Sequence, residues 1–125
     1  MHLTAWVTLV ALSIYVWTGM NAAAARVKHG VLAPRMDGPE EFTRRLRVQL
    51  NTLEQLPLFL APLWMCAWFL GDAWAAGAGV LWCVGRVVYA LTYYKDPTKR
   101  TFGFVTSLAA SLLLMGGTVL GLLLN

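Results

Sequence analysis

Four apolar stretches, each long enough to cross a bilayer, leave this 125-residue chain little sequence with which to build anything else. They run over Leu3–Ala25, Phe42–Phe69, Ala73–Tyr94 and Phe102–Leu124; about 20 apolar residues span a hydrocarbon core about 30 Å thick. In that solvent every backbone polar group must be paired internally, which for single long segments means helices. Hydrophobic residues make up 58% of the chain and charged residues only 13%, about half the charged share of an ordinary soluble domain. The expected fold is all-α, an integral membrane four-helix bundle. One domain covers residues 1–125, with helices over 3–25, 39–70, 73–94 and 101–124.

The net charge of +4 is unevenly placed. Arg26, Lys28, Arg35, Arg44, Arg45 and Arg47 lie in or beside the first loop, and Lys95, Lys99 and Arg100 in or beside the third. The second loop holds only Asp72, and neither terminus carries Lys or Arg. This is the pattern of membrane topology rather than of nucleic-acid binding. Loops one and three are expected in the cytoplasm and both termini on the opposite side. In a bacterium the membrane is then the inner one; in an internal eukaryotic membrane the termini face the lumen. The N-terminal stretch lacks a basic leader region and reads as a retained helix, although Ala22–Ala25 imitates a cleavage site.

Local chemistry marks the helix ends. Pro39 followed by Glu40 and Glu41 reads as a helix start, since proline suits the first position and acids suit the positive end of the dipole. Pro57 and Pro62 fall inside the second helix, where each frees a carbonyl four residues back; a bend after Glu54 is expected. Gly71-Asp72 is a tight turn, so helices two and three form an antiparallel pair. Cys66 and Cys83 lie within apolar runs and read as small buried residues rather than a disulfide. Gly117-x-x-x-Gly121 reads as close helix packing.

Against this apolar background one polar set stands out. Arg47, Asn51 and Glu54 follow the spacing i, i+4, i+7 and share one face of helix two. Counting back from Asp72 at about 1.5 Å per residue puts Glu54 about 27 Å away, just inside the loop-one edge of the core. On helix three, Arg86, Tyr89 and Tyr93 share a face, with Arg86 about 20 Å above Ala73 and well inside lipid. An unpaired charge at such depth costs about 2.5–3.5 kcal/mol, so Glu54 and Arg86 are expected to form a structural ion pair. With Arg100 beyond, the polar groups at this membrane face exceed what helix registry needs. They suit a zwitterionic ligand rich in carboxylates: arginines clamp carboxylates, Glu54 accepts an ammonium, and Asn51 and Gln49 pair with amides. Glutathione has these parts, and an arginine near its thiol would favour the thiolate.

The pattern resembles the MAPEG family, the membrane-associated proteins in eicosanoid and glutathione metabolism. The resemblance rests on Gly38-Pro39-x-x-Phe42, Arg47-x-x-x-Asn51-x-x-Glu54, Pro57-Leu58-Phe59-Leu60, and Gly85-Arg86-x-x-Tyr89-x-x-x-Tyr93 with Arg100 beyond. It covers most of the chain. It implies a homotrimer with glutathione bound between subunits near the cytoplasmic face. Arg47, Asn51, Glu54, Tyr89 and Tyr93 fall on glutathione-binding positions, with Gln49 and Arg26 as further ones. Arg100 falls on the position whose arginine activates the thiol in the leukotriene-synthase branch. That branch has a second arginine where this chain has Val27, and a tyrosine where it has Gln55. Both departures favour a generic, bacterial-type relative of the microsomal glutathione transferases.

The resulting expectation is a glutathione-dependent transferase or peroxidase that stabilises the thiolate and acts on lipophilic small molecules delivered by membrane lipid. A non-catalytic ligand-binding protein of the same fold is the alternative. A small multidrug exporter is disfavoured because helix one has no charge between Met1 and Ala25. No motif points to a metal, haem, nucleotide or nucleic acid.

Overall fold

A computed structural model describes all residues from Met1 to Asn125. The chain forms four long helices: α1 (His2–His29), α2 (Glu40–Phe69), α3 (Asp72–Lys95) and α4 (Thr101–Leu124). A single 3-10 turn, Pro97–Lys99, separates α3 from α4. There is no strand. α1 continues past the expected Ala25 to His29. It stops there because Gly30 adopts φ 65°, a left-handed conformation that glycine reaches without strain. Gly30 N donates to Val27 O and Val31 N to Arg26 O, which closes the helix end, and Val31 then packs with Ala25, Phe42 and Leu46.

α1, α3 and α4 are each long and apolar enough to cross a membrane. α2 has the length, but Arg44, Arg45, Arg47 and Glu54 crowd its first half, so only its second half is continuously apolar. It runs as one helix through both Pro57 and Pro62. α2 and α3 each pack against both α1 and α4. Their shared core holds Val7, Ala11 and Ile14 of α1, Phe59 and Leu63 of α2, Trp82 and Cys83 of α3, and Leu114 of α4. Phe59 and Trp82 stack face to face, 4.2 Å apart with planes 3° from parallel. Cys66 and Cys83 are free thiols in buried positions.

Hydrogen bonds tie the two ends of the bundle. At one end Asp72 binds the first turn of α1, and Asn125 Nδ2 donates to Phe69 O at 3.1 Å. At the other, Arg44 Nη1 donates to Tyr94 O and Lys95 O at the end of α3, and Arg45 Nη1 to Asn21 O. Loops one and three therefore share one end, and the second loop shares the other with both termini.

Candidate functional site

The loop-one end of the bundle holds a cleft of about 610 Å³. Arg47, Asn51 and Glu54 line it from α2, Tyr89 and Tyr93 from α3, and Arg100 from the turn before α4. Met36, Thr43, Leu46 and Leu50 complete the wall. A recess of about 410 Å³ continues from it between Asn51, Tyr89, Arg100, Thr101 and Phe104. The other sizeable hollows are apolar. One of about 540 Å³ lies between α1 and α3 and is lined only by hydrophobic residues such as Trp6, Val10 and Val84. Of these hollows, the polar cleft and its recess are the ones that offer charged partners to an ionic ligand.

Helical spacing brings these groups together. The i, i+4, i+7 set stands on one side of α2, and Tyr89 and Tyr93, with rings 5.6 Å apart, stand one turn apart on α3. Arg100 joins them because α4 runs hard against α3. A Cβ on Gly85 would lie 2.8 Å from Ser107 N, and one on Gly103 would overlap the backbone of Tyr89. Only glycine permits this approach. Arg100 Nη1 donates to Pro97 O at 2.8 Å. The neighbouring acid, Asp96, is engaged elsewhere: it accepts from Thr98 N at 3.0 Å and Thr98 Oγ1 at 2.7 Å. Those bonds hold its carboxyl below the usual carboxylate range. The Arg100 guanidinium thus meets no carboxylate within the chain.

The expected ion pair between Glu54 and Arg86 does not form. Arg86 is fully buried, and its guanidinium is met by neutral oxygens. Nη2 donates to Asn51 Oδ1 at 2.7 Å and Thr52 Oγ1 at 3.1 Å, and Nη1 donates to Ser107 Oγ at 3.3 Å. The guanidinium also sits 4.2 Å from the centre of the Tyr89 ring, a cation–π arrangement. The physical reason is rotational. Thr52 faces the interior and Asn51 its edge, whereas Glu54 lies on the exposed side of α2 and opens into the cleft. Thr52 and Ser107 were missed from sequence; isolated hydroxyls on apolar helices were the available signal.

Two expected ligand contacts lie outside this cleft. Arg26 Nη1 donates to Arg35 O at 2.6 Å, and its guanidinium covers the Phe42 ring at 4.7 Å. Gln49 points to the other side of α2, where its amide approaches Gly19 of α1. Two residues along a helix turn about 200°, so Arg47 and Gln49 cannot share a face. Tyr94 also turns away: its hydroxyl accepts from Asn21 Nδ2 at 3.2 Å.

Chemically, the cleft offers two guanidinium forks, one carboxylate, an amide and two phenols beside apolar wall. That inventory fits a small peptide-like zwitterion with more carboxylates than ammonium groups.

Comparison with known proteins identifies the family. Residues 3–120 match the MAPEG family. An uncharacterized protein of Synechocystis sp. is 41% identical over 119 residues, covering 95% of this chain and 87% of the relative. Microsomal glutathione S-transferase 2 of Mus musculus is 38% identical over 87% of this chain and 72% of its own length. Leukotriene C4 synthase of Mus musculus is 34% identical over 98% of this chain and 82% of its own length. This chain, an integral membrane bundle of four helices, belongs to the MAPEG family.

Proposed function

We propose that the protein is a glutathione-dependent transferase or peroxidase acting on lipophilic electrophiles at the membrane. One observation carries this reading: Arg47, Asn51, Glu54, Tyr89, Tyr93 and Arg100 line a single cleft. Arg47 clamps a glutathione carboxylate, Glu54 takes the ammonium, Asn51 meets a peptide group, and the tyrosine hydroxyls bridge the remainder. Arg100, free of any carboxylate partner, holds the sulfur as thiolate. The thiolate then attacks an electrophilic carbon, forming a C–S bond as a leaving group such as halide departs. With a lipid hydroperoxide it attacks the outer oxygen, and the O–O bond breaks to give the lipid alcohol and a glutathione sulfenic acid. A second glutathione thiol converts that to the disulfide with release of water.

The functional unit is a homotrimer. Its support is the placement of Arg26 and Gln49 away from the cleft that holds Arg47 and Asn51. A neighbouring subunit can bring those two side chains to a site that one chain leaves open. Loops one and three, rich in Lys and Arg, face the cytoplasm, where glutathione is available.

The test is titration of the purified protein with glutathione while following ultraviolet absorption of the thiolate. A saturable thiolate signal is expected, together with conjugation of an aryl halide. Glutathione blocked at sulfur should compete without producing the signal. Absence of saturable binding in well-folded protein would refute the assignment. Saturable binding without conjugation or peroxide reduction would leave a ligand-binding protein of the same fold.

A further inference from the structure

Arg86 has no counterion, yet it is the most connected polar side chain in the bundle interior. Its guanidinium reaches α2 through Asn51 and Thr52, and α4 through Ser107. Ser107 is itself fixed, because its hydroxyl donates to Phe104 O at 3.0 Å and so turns a lone pair toward Arg86. A guanidinium has donors and no acceptor. The atom of Asn51 that faces it must therefore be the amide oxygen, and the NH2 group must point away. The Asn51 side chain makes no other hydrogen bond and lines the cleft.

We infer that Arg86 is a positioning residue for the ligand site: through Asn51 it sets which end of that amide meets the ligand. With Arg86 in place, Asn51 presents two N–H donors to an acceptor such as a peptide carbonyl or carboxylate of the bound tripeptide. Without it, an asparagine side chain can rotate about its last torsion and present the carbonyl instead. The same guanidinium lies across the Tyr89 ring, so a second cleft wall is held by the same group. This inference rests on the proposed glutathione site.

The experiment compares glutathione affinity by calorimetry in four proteins: wild type, Arg86→Lys, Asn51→Ala and the double variant. Lysine keeps the positive charge and loses the fork. It cannot serve Asn51, Thr52 and Ser107 together in the guanidinium geometry. Arg86→Lys should weaken binding by about tenfold and raise KM for glutathione, with kcat at saturation little changed. In the Asn51→Ala background the same substitution should cost much less, only what the Tyr89 wall loses. Arg86→Met provides a second variant, since a neutral side chain of similar length suits this apolar setting; it should match Arg86→Lys in affinity. Unchanged affinity in Arg86→Lys, or equal losses with and without Asn51, would overturn the positioning role while leaving the glutathione site intact. No binding by the wild type would overturn both.

Discussion

The carboxylate of Asp72 accepts hydrogen bonds from Thr4 Oγ1 at 2.5 Å and from Thr4 N at 2.9 Å, and also from Leu3 N at 3.1 Å. The first residue of α3 thereby caps the start of α1, where backbone donors have no partner within the helix. Asp72→Ala should lower the thermal midpoint in detergent by a few degrees. Asp72→Asn, which keeps one acceptor, should recover part of the loss. Glutathione binding at the far end of the bundle should not change in either variant.

Gly103 offers the sharper packing test. Its α-carbon lies so close to the backbone of Tyr89 that any side chain must drive α4 from α3. Gly103→Ala should cost about 1–3 kcal/mol, as overpacking does. It should also weaken glutathione binding, because both Tyr89 and Arg100 depend on this contact for their separation. Chemical denaturation paired with calorimetry measures the two effects. A variant of normal stability and normal affinity would show that α4 accommodates the methyl by local shift.

What could be read from sequence was whatever depends on one helix alone. The spacing of Arg47, Asn51 and Glu54 fixes a common face, as does that of Tyr89 and Tyr93, and both faces line the cleft. The charge-rich loops and the Gly71-Asp72 turn likewise report local chemistry. What was missed depends on how two helices are rotated against each other. Attraction of opposite charges suggested that Arg86 would meet Glu54. Rotation of α2 instead brings Asn51 and Thr52 to it, and neutral hydroxyls carry no sign by which to be chosen. Asp72 was seen only as a lone loop charge for the same reason: its partner Thr4 is distant in sequence and unremarkable in type.

Because the Arg86 guanidinium bonds neutral groups and not Glu54, Glu54 can be removed without unsettling the interior. Glu54→Ala should weaken glutathione binding at least about tenfold, the cost of a charge-assisted hydrogen bond, with an unchanged thermal midpoint. Arg47→Ala should behave alike. A large loss of stability in Glu54→Ala would mean that the carboxylate serves the fold and not the ligand.

Arg100→Ala separates chemistry from binding. A thiol pKa lowered by two units corresponds to about 2.7 kcal/mol of preference for the thiolate. Losing that preference should cut turnover at neutral pH by about tenfold to a hundredfold. Affinity should fall much less, since Arg47 still clamps a carboxylate. The thiolate absorption of the bound complex should shrink in step with turnover. Normal absorption and normal conjugation in this variant would leave Arg100 as an interfacial anchor beside Lys99.

The first loop should show a mild acid sensitivity. Lys28 Nζ donates to Glu41 Oε2 at 3.2 Å, and this bond holds the Glu41 carboxyl below its usual 4.5. The folded state therefore favours the ionised form. Its contribution is present above that usual value and is lost as pH falls through the lowered one. Thermal midpoints of wild type and Glu41→Gln should differ at neutral pH and converge in strong acid.

The path of the chain through Arg86 bears on biosynthesis. Asn51 and Thr52 precede the arginine, and only Leu70 and Gly71 separate α2 from α3. When α3 leaves the ribosome its buried cation already has two of its acceptors on the preceding helix, while Ser107 has yet to be made. α2 and α3 can thus enter lipid together as a hairpin with Arg86 already bonded to Asn51 and Thr52. The arginine of α3, a poor passenger alone, becomes insertable beside its partner helix.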